Sequence, residues 1–217
     1  MVPLTLDHLI LAGPDLESLT AALAARAGVH AVGGGRHAGQ GTHNALVGLG
    51  PGRYLELLAA DPAGDGGGFR DWIAYLDAPA LHGWCVRGEP ALDADAFASR
   101  VAAAGLAPRR LAMTRTRPDG VRLAWELVFV DGHGFGSLVP FFIDWRGSPH
   151  PSAALAADLR DPRLLLRHPD AAGLDALLQA LGGLPAEATV VAAPRPGLEA
   201  TWTGARGADR WTGTGGG

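Results

Sequence analysis

Two stretches decide the fold: Leu4–Gly13, LTLDHLILAG, and Gly52–Ala60, GRYLELLAA. The first is a short apolar run bounded by Pro3 and by Gly13-Pro14; the second is apolar around a single carboxylate, Glu56. Runs of this length between chain breakers read as buried strands. A carboxylate buried without a partner costs several kcal/mol or shifts its pKa. Glu56 therefore needs a partner, and His8 supplies one if the two strands are neighbours that face one cavity. The pair reads either as a buried imidazole–carboxylate hydrogen bond or as two ligands of a divalent ion, since both groups are good donors to Zn, Ni, Mn or Fe.

Between the two stretches, Asp15 caps a predicted helix whose leucines at 16, 19 and 23 recur at helical spacing, and Gly28 stops it. Val29–Val32 reads as a short strand, and Thr42–Leu49 and Arg53–Ala59 as a hairpin around Gly50-Pro51-Gly52. Residues 1–60 thus read β-α-β-β-β. Residues 61–79 form a glycine-rich connection with a short helix at Phe69–Leu76. The same grammar returns over 80–148: strand Leu81–Arg87, helix Leu92–Ala104, then strands Arg109–Thr116, Val121–Val130 and Gly136–Trp145, with a turn at Pro118-Asp119-Gly120. His8 and His82 hold matching places on the opening strands, which reads as an internal duplication. Residues 149–217 read as a C-terminal extension, a partial third copy (βαββ) at a sheet edge, with a frayed tail from Gly204.

With 217 residues, 47% of them hydrophobic, and a net charge of −4, the chain has ample material for a core. It contains no lysine, and its arginines are scattered, so no basic footprint for nucleic acid exists. The single Cys85 excludes an internal disulfide framework and suits a reducing compartment. No run has the length of a membrane span and no leader is evident. The expectation is a cytoplasmic protein, monomer or homodimer, whose partner is a small molecule.

Further candidates lie on the same elements. Neighbours on a strand face opposite ways, so only one of His43 and Asn44 can share the cavity; Asn44 would fix a substrate oxygen. Trp84, Trp125, Phe141, Phe142 and Trp145 would supply apolar wall or core. Glu126, beside Trp125, reads as a general base or as a solvent-facing charge. His37, His133, His150 and His168 sit in Gly- or Pro-flanked turns and read as surface residues. The Gly33–Gly35 run lacks the pattern of a phosphate loop.

LDHLILAGPDLESL (Leu6–Leu19), GGRHAGQGTHNALVGLGPGRYLELLA (Gly34–Ala59) and LVPFFIDWRGSPHP (Leu138–Pro151) together resemble the glyoxalase-like branch of the vicinal oxygen chelate superfamily. The resemblance implies an α+β fold of paired βαβββ modules whose curved mixed sheets form a cavity, with metal ligands on the first and last strands of each module. Carried onto this chain, these are His8, Glu56 and His82, with the fourth near Phe141–Asp144. The glyoxalase pattern has a glutamate at that fourth place; here Asp144 is the one carboxylate, or water fills it. The function this implies is a divalent-metal-dependent lyase, isomerase or dioxygenase of a small oxygen-chelating substrate, with Glu56 or Glu126 moving the proton. The alternative is a metal-free protein that binds or sequesters a small ligand or antibiotic against its aromatic walls.

Overall fold

The structure is a computed structural model and describes residues 3–88, 92–116 and 122–215. The turn expected at Pro118-Asp119-Gly120 lies outside the described residues. The first module runs β1 (Leu4–Gly13), α1 (Leu16–Ala27), β2 (Val32–His37), β3 (Thr42–Gly48), β4 (Tyr54–Ala60). After the short α2 (Gly68–Ile73), the second runs β5 (Ala80–Gly88), α3 (Ala94–Ala103), β6 (Ala107–Thr116), β7 (Arg122–Asp131), β8 (Phe141–Asp144). α1 starts and stops where the sequence says, whereas α2, expected over Phe69–Leu76, ends at Ile73. The Asp15 carboxylate accepts from the Ser18 amide at 2.7 Å, a cap worth about 1 kcal/mol, and Gly28 takes the left-handed φ of 70° that ends α1.

The eight strands form one mixed sheet in the order β2-β3-β4-β1-β5-β8-β7-β6. Each module contributes four neighbours, and β1 joins β5 antiparallel at the centre. The sheet curls until its two edges meet: Arg115 on β6 donates to the Gly34 carbonyl on β2. The outer face carries the main core, in which Leu9, Leu11, Leu55, Leu57, Val86 and Phe142 pack with α1 and α3. The inner face encloses a cavity.

The C-terminal part runs β9 (Arg160–His168), α4 (Ala171–Leu181), β10 (Ala188–Ala192), β11 (Gly197–Gly204), β12 (Gly207–Gly213). It has one strand more than expected. The tail expected to fray from Gly204 instead forms β12, because Asp209 and Trp211 alternate inward while Ala208, Arg210 and Thr212 point out. Trp211 is buried, Arg26 of α1 stacks on its ring at 4.0 Å, and the same guanidinium pairs with Asp209 at 2.8 Å. The expectation of a partial third copy also needs correcting. The order here is β10-β9-β11-β12, with the second strand directly beside the first, whereas in the first module the second strand is the far edge. This sheet packs its apolar face, through Leu198, Ala200 and Trp202, into the same core as the helices.

Candidate active site

Strand alternation decides what enters the cavity. On β1 it is His8 and Ile10; on β3, Asn44 and Leu46; on β4, Tyr54, Glu56 and Leu58. Because β1 and β4 are parallel neighbours with Ile10 opposite Glu56, His8 Nε2 comes to 3.6 Å from Glu56 Oε2. From the second module come Leu123, Trp125, Leu127, Phe129, Phe141, Ile143 and Trp145. The first module therefore carries most of the polar groups, while the second supplies the wall and, through Arg115 of β6, a cation at the lining.

A β-bulge prepares His8. The β1–β5 register slips between Leu6 and His8, leaving Asp7 as the extra residue. On a regular strand the two side chains would face opposite ways; here Asp7 Oδ1 lies 2.7 Å from His8 Nδ1. Asp7 is fully buried, and its other oxygen accepts from Trp145 Nε1 at 3.0 Å and Arg87 Nη1 at 3.3 Å, with His150 Nε2 at 3.1 Å. Burial alone would raise the Asp7 pKa. Hydrogen bonds from His150 and His8 overcome it and hold the carboxyl below its ordinary value. An ionised carboxylate only accepts, so the proton of His8 sits on Nδ1 and Nε2 faces the cavity.

Glu56 is held from the other side. Asn44 Nδ2 donates to Glu56 Oε1 at 2.5 Å and lies 3.3 Å from His37 Nε2, while His37 Nδ1 lies 2.9 Å from the Thr42 hydroxyl. Burial lowers the His37 pKa, which agrees with a neutral ring whose Nε2 accepts and whose Nδ1 donates. His37 Nε2 is also 3.7 Å from Glu56 Oε1. A continuous network thus runs from Thr42 through His37, Asn44 and Glu56 to the Asp7–His8 pair. The glycines of β2 make room for it, since a side chain at Gly34 would collide with Asn44 Oδ1.

The structure brings together His8, Glu56, Asn44 and Trp125, and it sends the other expected residues elsewhere. Glu126 faces away from the cavity because Trp125 faces in, and it pairs with Arg110 at 2.5 Å and with Arg146. Phe142 stacks on Phe97 of α3 at 4.5 Å in the core, and Phe141 takes the cavity position. Trp84 is buried in the same core, its indole donating to the Leu138 carbonyl. Asp144 turns outward, accepting from the Ala94 amide and pairing with Arg146, so no carboxylate of β8 reaches Glu56. His82 is the extra residue of a second bulge, between Gly83 and Leu81, and Cys85 is the residue of β5 opposite His8. Its ring sits 4.2 Å from Trp72 in an adjoining cavity.

Two residues read as surface histidines belong to the site. His37 is buried, and a hairpin reading of the Ala38–Gly41 turn would have set it across from Thr42, beside Asn44. His150 is half-buried against Asp7. Tyr54, stacked on His8 at 4.6 Å, was also legible as the residue two before Glu56 on one strand face.

Burial lowers the His82 pKa to about 4, against a smaller opposing effect of the Trp72 backbone. Depressed in the fold, His82 contributes stability that is complete above its unfolded value near 6.5 and is lost as pH falls through about 4. The expected loss over that window is roughly 2–4 kcal/mol. Urea unfolding at pH 7 and 4.5 should show it in the wild type and show less in His82→Gln; equal losses in both would remove His82 as the source.

Among the described residues, Asp7, His8 and Cys85 form a candidate metal-binding group, with one donor atom from each lying within 4.8 Å of the others. Asp7 and His8 Nδ1 already satisfy each other there, and burial, with the Asp7 and Glu56 charges, raises the Cys85 thiol well above its ordinary value. At the cavity side His8 Nε2 and Glu56 Oε2 converge, but His82 and Asp144 do not join them. Two ligands fall short of the three of a catalytic zinc site, so as they stand these residues do not fit the expected metal centre.

The chain belongs to the glyoxalase-like domain family, whose pattern matches residues 6–182. Among solved structures, it is similar to a hypothetical protein from Staphylococcus aureus, at 14% identity over 95% of this chain and 85% of that one, with a TM-score of 0.64. It is also similar to a mutant of 4-hydroxymandelate synthase from Streptomyces coelicolor, at 12% identity over 98% and 62%, with a TM-score of 0.55. A methylmalonyl-CoA epimerase in complex with methylmalonyl-CoA aligns at 18% identity over 70% and 100%, with a TM-score of 0.49. At these identities the likeness extends to the fold alone. No curated protein matches the chain. No described helix is long and apolar enough to cross a membrane.

Proposed function

We propose that this protein is an enzyme that moves a proton on a small substrate bearing adjacent oxygens, an isomerase or lyase reaction, with Glu56 and His8 as the reacting groups. The observation that carries this reading is the pair of acceptors, His8 Nε2 and Glu56 Oε2, facing each other across 3.6 Å at the polar end of an apolar cavity. With Nδ1 protonated, a neutral His8 offers a lone pair toward a carboxylate. Such an arrangement is satisfied by a donor placed between them, and an α-hydroxy carbonyl supplies an O–H and an acidic C–H on neighbouring atoms. Glu56 takes the carbon-bound proton, His8 carries the hydroxyl proton to the neighbouring oxygen, and Glu56 returns its proton to the neighbouring carbon, which completes the isomerisation and restores both groups. Asn44 holds Glu56 in place, Asp7 fixes the His8 ring, and the aromatic walls exclude water.

The test is deuterium exchange. α-Hydroxy carbonyl compounds incubated with the protein in D₂O should gain deuterium at the hydroxyl-bearing carbon next to the carbonyl. Exchange should survive dialysis against chelator. Loss on chelation with recovery on adding Zn²⁺, Ni²⁺, Mn²⁺ or Fe²⁺ would replace this mechanism by a metal-centred one. Binding without exchange would favour the second reading, a ligand-binding protein, for which the aromatic lining from Trp72, Trp125, Phe129 and Phe141 is the supporting observation.

A further inference from the structure

The cavity at His8 and Glu56 encloses about 60 Å³, the space of only a few waters at roughly 10–15 Å³ each. It holds a reactive head group and little more. Beside it lies a second cavity of about 330 Å³, and the two share Phe69, Trp72, Phe129 and Phe141 as walls. His82 lines the second cavity and is 4% exposed; its Nδ1 lies 3.4 Å from the Tyr75 hydroxyl, the Trp72 backbone is within reach of the ring, and Nε2 makes no hydrogen bond of ordinary geometry. A buried imidazole nitrogen left unpaired is costly and calls for an explanation, as does a bulge that turns this residue out of the regular strand pattern. At the rim, Arg109 pairs with Asp131 at 2.9 Å, so those two charges offset each other.

We infer that the second cavity is a substrate subsite: it takes the distal end of an elongated, ring-bearing ligand and presents His82 Nε2 to a neutral hydroxyl there, while the ring lies between the shared aromatic walls. The inference rests on the reading that His8 and Glu56 hold the reacting end. His82 stands three residues along β5 from Cys85, the partner of His8, which sets the two polar ends roughly 10 Å apart at 3.3–3.4 Å per residue. A ligand of two linked rings with an oxygen at each end has that span. Either tautomer of His82 suits a hydroxyl, which both donates and accepts.

The probes are 4,4′-dihydroxybiphenyl and 4-hydroxybiphenyl, titrated by calorimetry into the full chain. The single hydroxyl of the second prefers the Glu56 carboxylate, since a hydrogen bond to a charged group is the stronger. The dihydroxy compound should bind wild type roughly 5- to 10-fold more tightly. In His82→Leu that advantage should vanish, with affinity for 4-hydroxybiphenyl unchanged. Equal affinities in wild type, or equal weakening of both probes by His82→Leu, would overturn the subsite. Should His82→Leu fail to fold, the ¹⁵N resonance of His82 Nε2 in wild type decides: it should move with the dihydroxy probe and not with the other, and no movement overturns the inference. Glu56→Gln should weaken both probes alike. If it weakens neither while the His82 dependence persists, the reacting-end reading fails and the subsite stands.

Discussion

Glu56→Gln is expected to lower kcat/KM for any substrate that exchanges its proton in the cavity by about 10²–10⁴-fold, the usual worth of a positioned base. Stability should stay within about 1 kcal/mol of wild type. The substitution isolates the chemistry because glutamine copies the shape and most of the hydrogen bonding. Its carbonyl oxygen still accepts from Asn44 Nδ2, which lies 2.5 Å from Glu56 Oε1, and its amide nitrogen falls toward His8 Nε2, itself an acceptor. What is lost is the ability to take a proton. Rates should therefore fall through kcat, with KM little changed. A variant that keeps half or more of the wild-type exchange rate would remove Glu56 as the base, and His8 would then be tested in the same assay. If neither variant nor wild type exchanges any substrate while both bind ligand, the aromatic cavity serves binding alone.

The path from sequence to site fails at identifiable places. The structure turns His8 and Glu56 into one cavity, as alternation in LTLDHLILAG and GRYLELLAA suggested, because β1 alternates from His8 to Ile10 and its parallel pairing with β4 brings the faces together. The same rule would have assigned Glu126 and Phe142 to the outer face once Trp125 and Phe141 were taken as inward. What alternation does not reveal is a bulge. One extra residue at Asp7 turns a carboxylate onto its neighbour's ring, and one at His82 moves a histidine out of the ligand set that the duplication suggested. Residue identity announces neither bulge. Glycine concealed the rest. In HAGQGTHN the glycines marked a turn and so put His37 among surface residues, although that turn is tight enough to set His37 opposite Thr42. In TGARGADRWTG they suggested disorder, although Asp209 and Trp211 carry a strand-like alternation that buries the second against Arg26.

Asp7→Ala is expected to destabilise the fold by about 3–5 kcal/mol, the cost of leaving buried partners of a charge uncompensated. No other carboxylate in the site is fully buried, and this one gathers groups from four separate segments: His8 on β1, Arg87 on β5, Trp145 just past β8, and His150 in the segment beyond. Removing it strands those donors and loosens the floor of the cavity at once. Asp7→Asn keeps the volume and should cost less, roughly 1–3 kcal/mol. It also ceases to fix the proton on His8 Nδ1, so exchange should fall even where the protein is fully folded. The pH dependence separates this residue from His82. The Asp7 carboxyl is held below its ordinary value of 3.8 in the fold, so the unfolded chain binds the proton first as pH falls. Its contribution is complete above that value and is lost below it, whereas the His82 contribution is lost between about 6.5 and 4. Acid unfolding followed by circular dichroism should therefore be shallower below pH 4 in Asp7→Asn than in wild type and unaltered above it. Equal slopes below pH 4 would mean that Asp7 is no better stabilised in the fold than in the unfolded chain, and the network drawn around His8 would lose its anchor.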